Sequence, residues 1–308
     1  MVNAQVAVQN YNQYIKTKKL IENSIGFFFE KVFCFVILFV GDINMIGAII
    51  GDITGSKYEF DNIRSKGFDL LTPGSFFTDD TVMTLAVAKA ILNCNGEYIN
   101  LDQQVIKCMQ ELGRKYPDKG YGAHFSQWLI DDNPKPYGSK GNGAAMRIAP
   151  VAYVARDLDE LKTLCYKVTS VTHNTEEAIK SAEAVASCIF LARKGYSKSE
   201  IEKFVETHYY KLDYDYKMLN RHYKFTELAI QSVPQAIFCF LEGKTFDDVI
   251  KTSISIGGDS DTIACIAGSI AGEFFSILNS TKQEALNFLP QDLQDIYTAF
   301  EAKFIANN

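Results

Sequence analysis

The stretch Asp79–Leu92, DDTVMTLAVAKAIL, decides the architecture. Its apolar residues recur at spacings of three and four, the period of an amphipathic helix, whereas a half-buried strand would alternate. The two carboxylates that open the run suit a helix N-terminus, where they face the positive end of the peptide dipole. The same period returns in Glu176–Arg193, Lys224–Glu242 and Ser260–Leu278, and alternating runs are scarce. The spacing therefore predicts an all-α chain.

Around these helices the punctuation is that of turns. Thr72-Pro73-Gly74 and Asn133-Pro134-Lys135-Pro136 break the pattern, and Asp213–Tyr223 reads as a long polar, Tyr-rich loop. No low-complexity linker divides the chain, which predicts a single domain. Gly47, Gly51 and Gly55 fall four residues apart, as do Ala264, Gly268 and Gly272. Such small-residue spacing lets two helix backbones approach closely, as expected of helices buried in the middle of a bundle.

Composition excludes several functions. The 308 residues carry 31 Lys plus Arg against 37 Asp plus Glu, a formal net charge of −6. Nucleic acid or an anionic membrane would require a clustered basic face, and the sequence has none. Seven cysteines, at 34, 94, 108, 165, 188, 239 and 265, lack zinc-ligand spacing and predict reduced thiols in the cytoplasm. Residues 1–44 read as an N-terminal extension, either an appended leader or a misplaced start. The apolar run Val32–Val40 is too short to cross a bilayer, which takes about 20 residues. A tidier beginning follows at Met45, so residues 45–308 are expected to be the working domain, with a monomer as the default.

Five segments after Met45 carry chemistry. Phe77-Thr78-Asp79-Asp80-Thr81 and Gly257-Gly258-Asp259-Ser260-Asp261-Thr262 each set two carboxylates and flanking hydroxyls at the start of an apolar helix. Capping would explain one such segment, because Thr or Asp satisfies the free N–H groups there. Two segments are denser in acid than caps require. Four carboxylates gathered in a cleft repel one another and need cations, and oxygen ligands without His or Cys select Mg²⁺, Mn²⁺ or Ca²⁺. Two helix dipoles oppose such cations, which predicts a pair of ions balancing the four acids. Glu59, in Gly51-Asp52-Ile53-Thr54-Gly55-Ser56-Lys57-Tyr58-Glu59, is either a surface acid or a group able to deprotonate water. Gly138-Ser139-Lys140-Gly141-Asn142-Gly143-Ala144-Ala145-Met146-Arg147 is either a simple turn or a glycine-rich anion cradle running into a helix. It is neither a dinucleotide fingerprint nor a Walker loop. Thr172-His173-Asn174-Thr175 precedes another helix, where His173 could serve only the turn.

In this order the five segments resemble the ADP-ribosylglycohydrolase family over about residues 45–305, the TDDT and GGDSDT pair being the specific element. The resemblance implies an orthogonal helical bundle with a binuclear Mg²⁺ or Mn²⁺ centre in a cleft. The implied reaction is hydrolysis of the bond between ADP-ribose and a modified protein side chain, with arginine favoured. By the same resemblance Thr78, Asp79, Asp80, Asp259, Asp261 and Thr262 are the metal ligands, and Glu59, Asp80 and Asp261 are the catalytic residues. Ser139, Gly141, Asn142, Gly143 and His173 then contact the diphosphate and adenosine. Other ADP-ribosyl conjugates, such as ADP-ribosyl-serine or O-acetyl-ADP-ribose, a non-catalytic ADP-ribose-binding or structural relative, and metal-dependent phosphoester hydrolysis remain as alternatives.

Overall fold

The computed structural model describes residues 45–304. The leader, including Val32–Val40, lies outside the described residues. Among the described residues there are fifteen α-helices and no strand. The first six are α1 (Ile46–Gly55), α2 (Asp79–Asn93), α3 (Leu101–Lys115), α4 (Ala123–Ile130), α5 (Gly143–Met146) and α6 (Ala149–Val154). Then come α7 (Leu158–Thr169), α8 (Glu176–Arg193), α9 (Lys198–His208), α10 (Tyr216–His222) and α11 (Ala229–Glu242). The chain closes with α12 (Phe246–Ser255), α13 (Ser260–Phe274), α14 (Asn279–Leu286) and α15 (Gln291–Phe304).

The core is built around α13. Every residue from Ser260 to Gly272 is buried, and so is every residue of α1. A helix buried on all sides belongs in the middle of a bundle, and α1, α8, α11 and α12 pack around α13. The small-residue spacing explains how α1 and α13 approach. A Cβ placed on Gly47 would stand 2.2 Å from the Gly268 carbonyl oxygen, and one on Gly51 would stand 2.1 Å from that of Ala264. One on Gly55 would stand 2.5 Å from Asp261 Cα. Backbone therefore touches backbone along the whole of α1. Five of the six described cysteines are buried, packing as small hydrophobes.

The predicted helices at Asp79–Leu92 and Glu176–Arg193 coincide with α2 and α8. Three expectations need correction. The helix expected over Ser260–Leu278 is α13 and stops at Phe274, because Phe275 turns to extended backbone. The segment Asp213–Tyr223 is not all loop: it contains α10, whose N-terminus is capped by the Asp215 carboxylate accepting from the Met218 N–H at 2.9 Å. The helix expected from Lys224 begins only at Ala229. Its first residues are drawn into pairing with the glycine-rich loop, through Asn142 N–H to the Glu227 carbonyl at 2.8 Å and Ala229 N–H to that of Lys140 at 3.0 Å. No helix among the described residues is long and apolar enough to cross a membrane.

Candidate metal and substrate site

The Gly257–Thr262 turn requires its two glycines. Both have positive φ, +73° and +80°, and a Cβ on either would strike the Arg64 guanidinium or the Tyr223 ring. The Asn62 side chain locks the turn, its Oδ1 accepting from the Gly258 N–H at 2.8 Å and its Nδ2 donating to the Gly258 carbonyl at 2.9 Å. Arg64 donates to the carbonyls of Tyr223, Asn220 and Ile256. The chain is thereby delivered into α13 with Asp259 and Asp261 facing the N-terminus of α2.

There the two acidic segments meet, although Thr262 and Asp80 are 182 residues apart. Asp80, Asp261 and Asp52 bring carboxylate oxygens within 4.8 Å of one another, and Glu59, Asp259 and Asp261 form a second such group. Asp261 belongs to both. Thr262 donates to Asp80 Oδ2 at 3.2 Å, and Thr78 hydroxyl lies 3.4 Å from the same oxygen. Asp79 and Thr78 line the same cleft, although Asp79 joins neither group of three.

Capping accounts for only part of this. Thr78 does cap α2, accepting from the Asp80 N–H at 3.3 Å. Asp259, at the N-cap of α13, makes no cap bond; its Oδ2 accepts from Asn142 Nδ2 at 2.7 Å instead. Asp80 Oδ1 and Asp261 Oδ1 are buried without any hydrogen-bond donor. Buried carboxylate oxygens without donors are costly, and a divalent cation is the partner that such oxygen-only sets fit. Electrostatics agree: burial first, then mutual repulsion, holds Asp79, Asp80 and Asp261 well above the ordinary carboxylate range. Burial also raises Asp259. Glu59 is pushed up to about 7 by burial and by the charges of Asp259, Glu227 and Asp52.

Asp52 was not among the residues expected here. Its Oδ2 accepts from the N–H groups of Thr78 and Thr81, at 3.0 and 3.1 Å, and from the Thr81 hydroxyl. Its Oδ1 accepts from the Thr78 hydroxyl at 2.7 Å. Asp52 thus ties α1 to the start of α2 while contributing charge to the cluster. A lone acid inside the otherwise apolar IGAIIGDITG was the available signal.

The carboxylates floor a cleft of about 350 Å³, whose lining includes all of Ser139, Gly141, Asn142, Gly143 and His173. The cradle is tighter than expected. Gly141 N–H is already used by Ser139 Oγ at 3.2 Å and Asn142 N–H by the Glu227 carbonyl, and the helix that follows, α5, spans four residues. His173 sits under the loop, its Nε2 3.4 Å from where a Gly143 Cβ would be. Its Nδ1 lies 2.7 Å from Thr172 Oγ1, to which buried Arg147 donates at 2.7 Å. His173 Nδ1 is the acceptor within reach of the Thr172 proton, and in that arrangement the ring proton sits on Nε2, facing the loop. Burial, then the Arg147 charge, keeps the His173 pKa well below 6.5.

The comparisons point the same way. Residues 44–277 match the ADP-ribosylglycohydrolase family. ADP-ribosylhydrolase ARH3 of Mus musculus is 28% identical, over 83% of this chain and 90% of its own length. The Homo sapiens protein of that name is 29% identical, over 76% and 84%. ADP-ribosylarginine hydrolase Tri1 of Pseudomonas putida is 24% identical, over 76% and 70%. A solved structure described as an ADP-ribosylglycohydrolase-related protein complex aligns with a TM-score of 0.62 at 20% identity, over 84% of this chain and 95% of that one, and so shares the fold. With its helical bundle, its acidic centre and this match over most of its length, the chain belongs to the ADP-ribosylglycohydrolase family.

Proposed function

We propose that this protein is a Mg²⁺-dependent hydrolase that cleaves the glycosidic bond between ADP-ribose and a modified protein side chain, with the arginine guanidinium as the favoured leaving group. The broader activity, hydrolysis of ADP-ribose conjugates, follows from the family and its named relatives. The observation that carries the reading is the pair of three-carboxylate groups sharing Asp261, with donor-free oxygens on Asp80 and Asp261. Asp80, Asp259 and Asp261 would hold two divalent ions, Mg²⁺ or Mn²⁺, together with Thr78, Asp79 and Thr262 and with charge support from Asp52. Bound there, such ions supply Lewis acidity and fix the ribose hydroxyls.

Ser139, Gly141, Asn142 and Gly143 would orient the diphosphate and adenosine, with His173 donating from Nε2. Cleavage through an oxocarbenium-like state requires water to add at the anomeric carbon while the C–N bond breaks and a proton reaches the departing nitrogen. Glu59, pushed up to about 7 by burial and by its acidic neighbours, would take a proton from the water and return one to the departing nitrogen. Acidic Glu59 and Glu227 in the cleft lining favour a cationic leaving group over a neutral one.

The working domain is residues 45–308, acting as a cytoplasmic monomer, and a chain beginning at Met45 is expected to fold and stay active. The test is to incubate ADP-ribosyl-arginine, ADP-ribosyl-serine and O-acetyl-ADP-ribose with the protein, with and without Mg²⁺. Metal-dependent release of ADP-ribose, fastest from the arginine conjugate, is the expected result. Release of AMP would assign phosphoester hydrolysis, and no product would leave a binding protein.

A further inference from the structure

Of the phenylalanines among the described residues, only Phe60, Phe76 and Phe225 are exposed, and all three line the cleft. Phe60 is 86% exposed and Phe225 44%. Large apolar side chains gathered at one opening mark a surface that meets a partner. The Phe60 and Phe225 rings stack, with centroids 5.9 Å apart and planes at 26°. Phe60 follows Glu59 directly, and Phe225 stands two residues before Glu227, so the ring pair is flanked by carboxylates. Exposed Leu228 and Ile230 continue the apolar character of that second segment.

This inference rests on the proposed function. With ADP-ribose in the cleft and its anomeric carbon at the carboxylates, the leaving side chain departs past Glu59. A free amino acid or acetyl group ends there. A polypeptide continues onto the ring pair. We propose that Phe60, Phe225 and Glu227 form a docking rim for the polypeptide that carries the modified side chain, selecting apolar and basic residues beside it. The rings offer apolar area and a face for cations, and the acids complement basic flanks.

The test uses the full chain and two substrates: an ADP-ribosylarginine peptide with leucine and lysine flanks, and free ADP-ribosylarginine. Phe60→Ser, Phe225→Ser and the double variant should raise KM for the peptide about tenfold, the loss of one interfacial anchor. They should leave kcat, the turnover of free ADP-ribosylarginine and the melting temperature unchanged. Fluorescence anisotropy with the unmodified, labelled peptide should show the same loss of affinity without any turnover. Equal losses on both substrates, a gain on either, or unchanged peptide binding would overturn the docking rim. Failure to cleave free ADP-ribosylarginine would instead overturn the proposed function, while the anisotropy result still decides the rim.

Discussion

Replacing Gly51 with alanine tests whether the α1–α13 contact positions the acidic centre. The added methyl would lie 2.1 Å from the Ala264 carbonyl oxygen, 2.4 Å from its carbon and 2.7 Å from Cys265 N. Real contacts of this kind do not fall below 3.0 Å, so the helices must part by about 0.9 Å, and the obstacle is backbone, which cannot turn aside. Overpacking of this kind costs about 1–3 kcal/mol, and a backbone obstacle puts the cost at or above the upper end. The gain in helix propensity offsets about 1 kcal/mol of it. A net loss of about 2 kcal/mol corresponds to roughly 4–8 °C in a domain of this size. Asp52 is the next residue and Asp261 lies at the start of the facing helix, so the same displacement widens the carboxylate group. Thermal unfolding and calorimetric Mg²⁺ titration should both register the change, with Gly122→Ala, whose methyl would meet nothing within 4 Å, as the control. A Gly51→Ala protein with unchanged melting temperature and unchanged Mg²⁺ affinity would refute the reasoning.

Asp261→Asn removes the carboxylate common to both groups; it should abolish Mg²⁺ binding and turnover yet raise the melting temperature of the EDTA-treated protein by a few degrees, because it relieves buried repulsion. A lower metal-free melting temperature would contradict this. The clustered carboxylates have folded-state pKa values raised above their unfolded ones, so they hold extra protons when folded. The stability they contribute is present below the unfolded value and is lost as pH rises: for Glu59, between about 4.5 and about 7. EDTA-treated protein should therefore melt lower at neutral than at mildly acidic pH, and the stabilisation by Mg²⁺ should grow over that window as ions displace protons. A pH-independent Mg²⁺ effect would count against the site. Thr172→Val should leave buried Arg147, whose Nε already has no acceptor, with a second unmet donor, costing about 1–3 kcal/mol. In ¹⁵N spectra of the imidazoles it should also convert His173 from a single Nε2–H form to a mixture, which Thr172→Ser should restore. A wild-type ring protonated on Nδ1 would overturn the relay.

Much of this was legible in the residues. Helical period is local, so α8 emerged with its bounds and α2 to within one residue, and surplus acid at two helix starts predicted that remote segments would converge. The missed features depend on tertiary partners. Asp52 joins the carboxylate cluster because the N–H groups of Thr78 and Thr81 converge on it, and no spacing rule joins those positions. Arg147 acts through Thr172, and Glu227 reaches the cleft only because its segment pairs with the glycine-rich loop. That pairing also delays α11 to Ala229, overriding a local pattern that favours helix from Lys224. Within Asp213–Tyr223 the polar composition suggested loop, but one Asp cap on a short turn sufficed for α10.

The architecture answers a conflict between charge and burial. Assembling Asp52, Asp80, Asp259 and Asp261 out of water is unfavourable, and without ions each carries a proton more readily than it would in the unfolded chain. A loop bearing such acids would swing them into solvent. Here Asp52 is fixed within α1, Asp261 within the first turn of α13, and glycines at 47, 51 and 55 hold those helices at backbone contact, so the acids cannot separate without parting the core. Packing therefore holds together what electrostatics pushes apart, and cations bound there would restore what the repulsion removes. Because that opposition is mounted on a fully buried helix, α1, packed against α13, the carboxylates are preorganised, and the free energy of ion binding there would stabilise the whole fold rather than one loop.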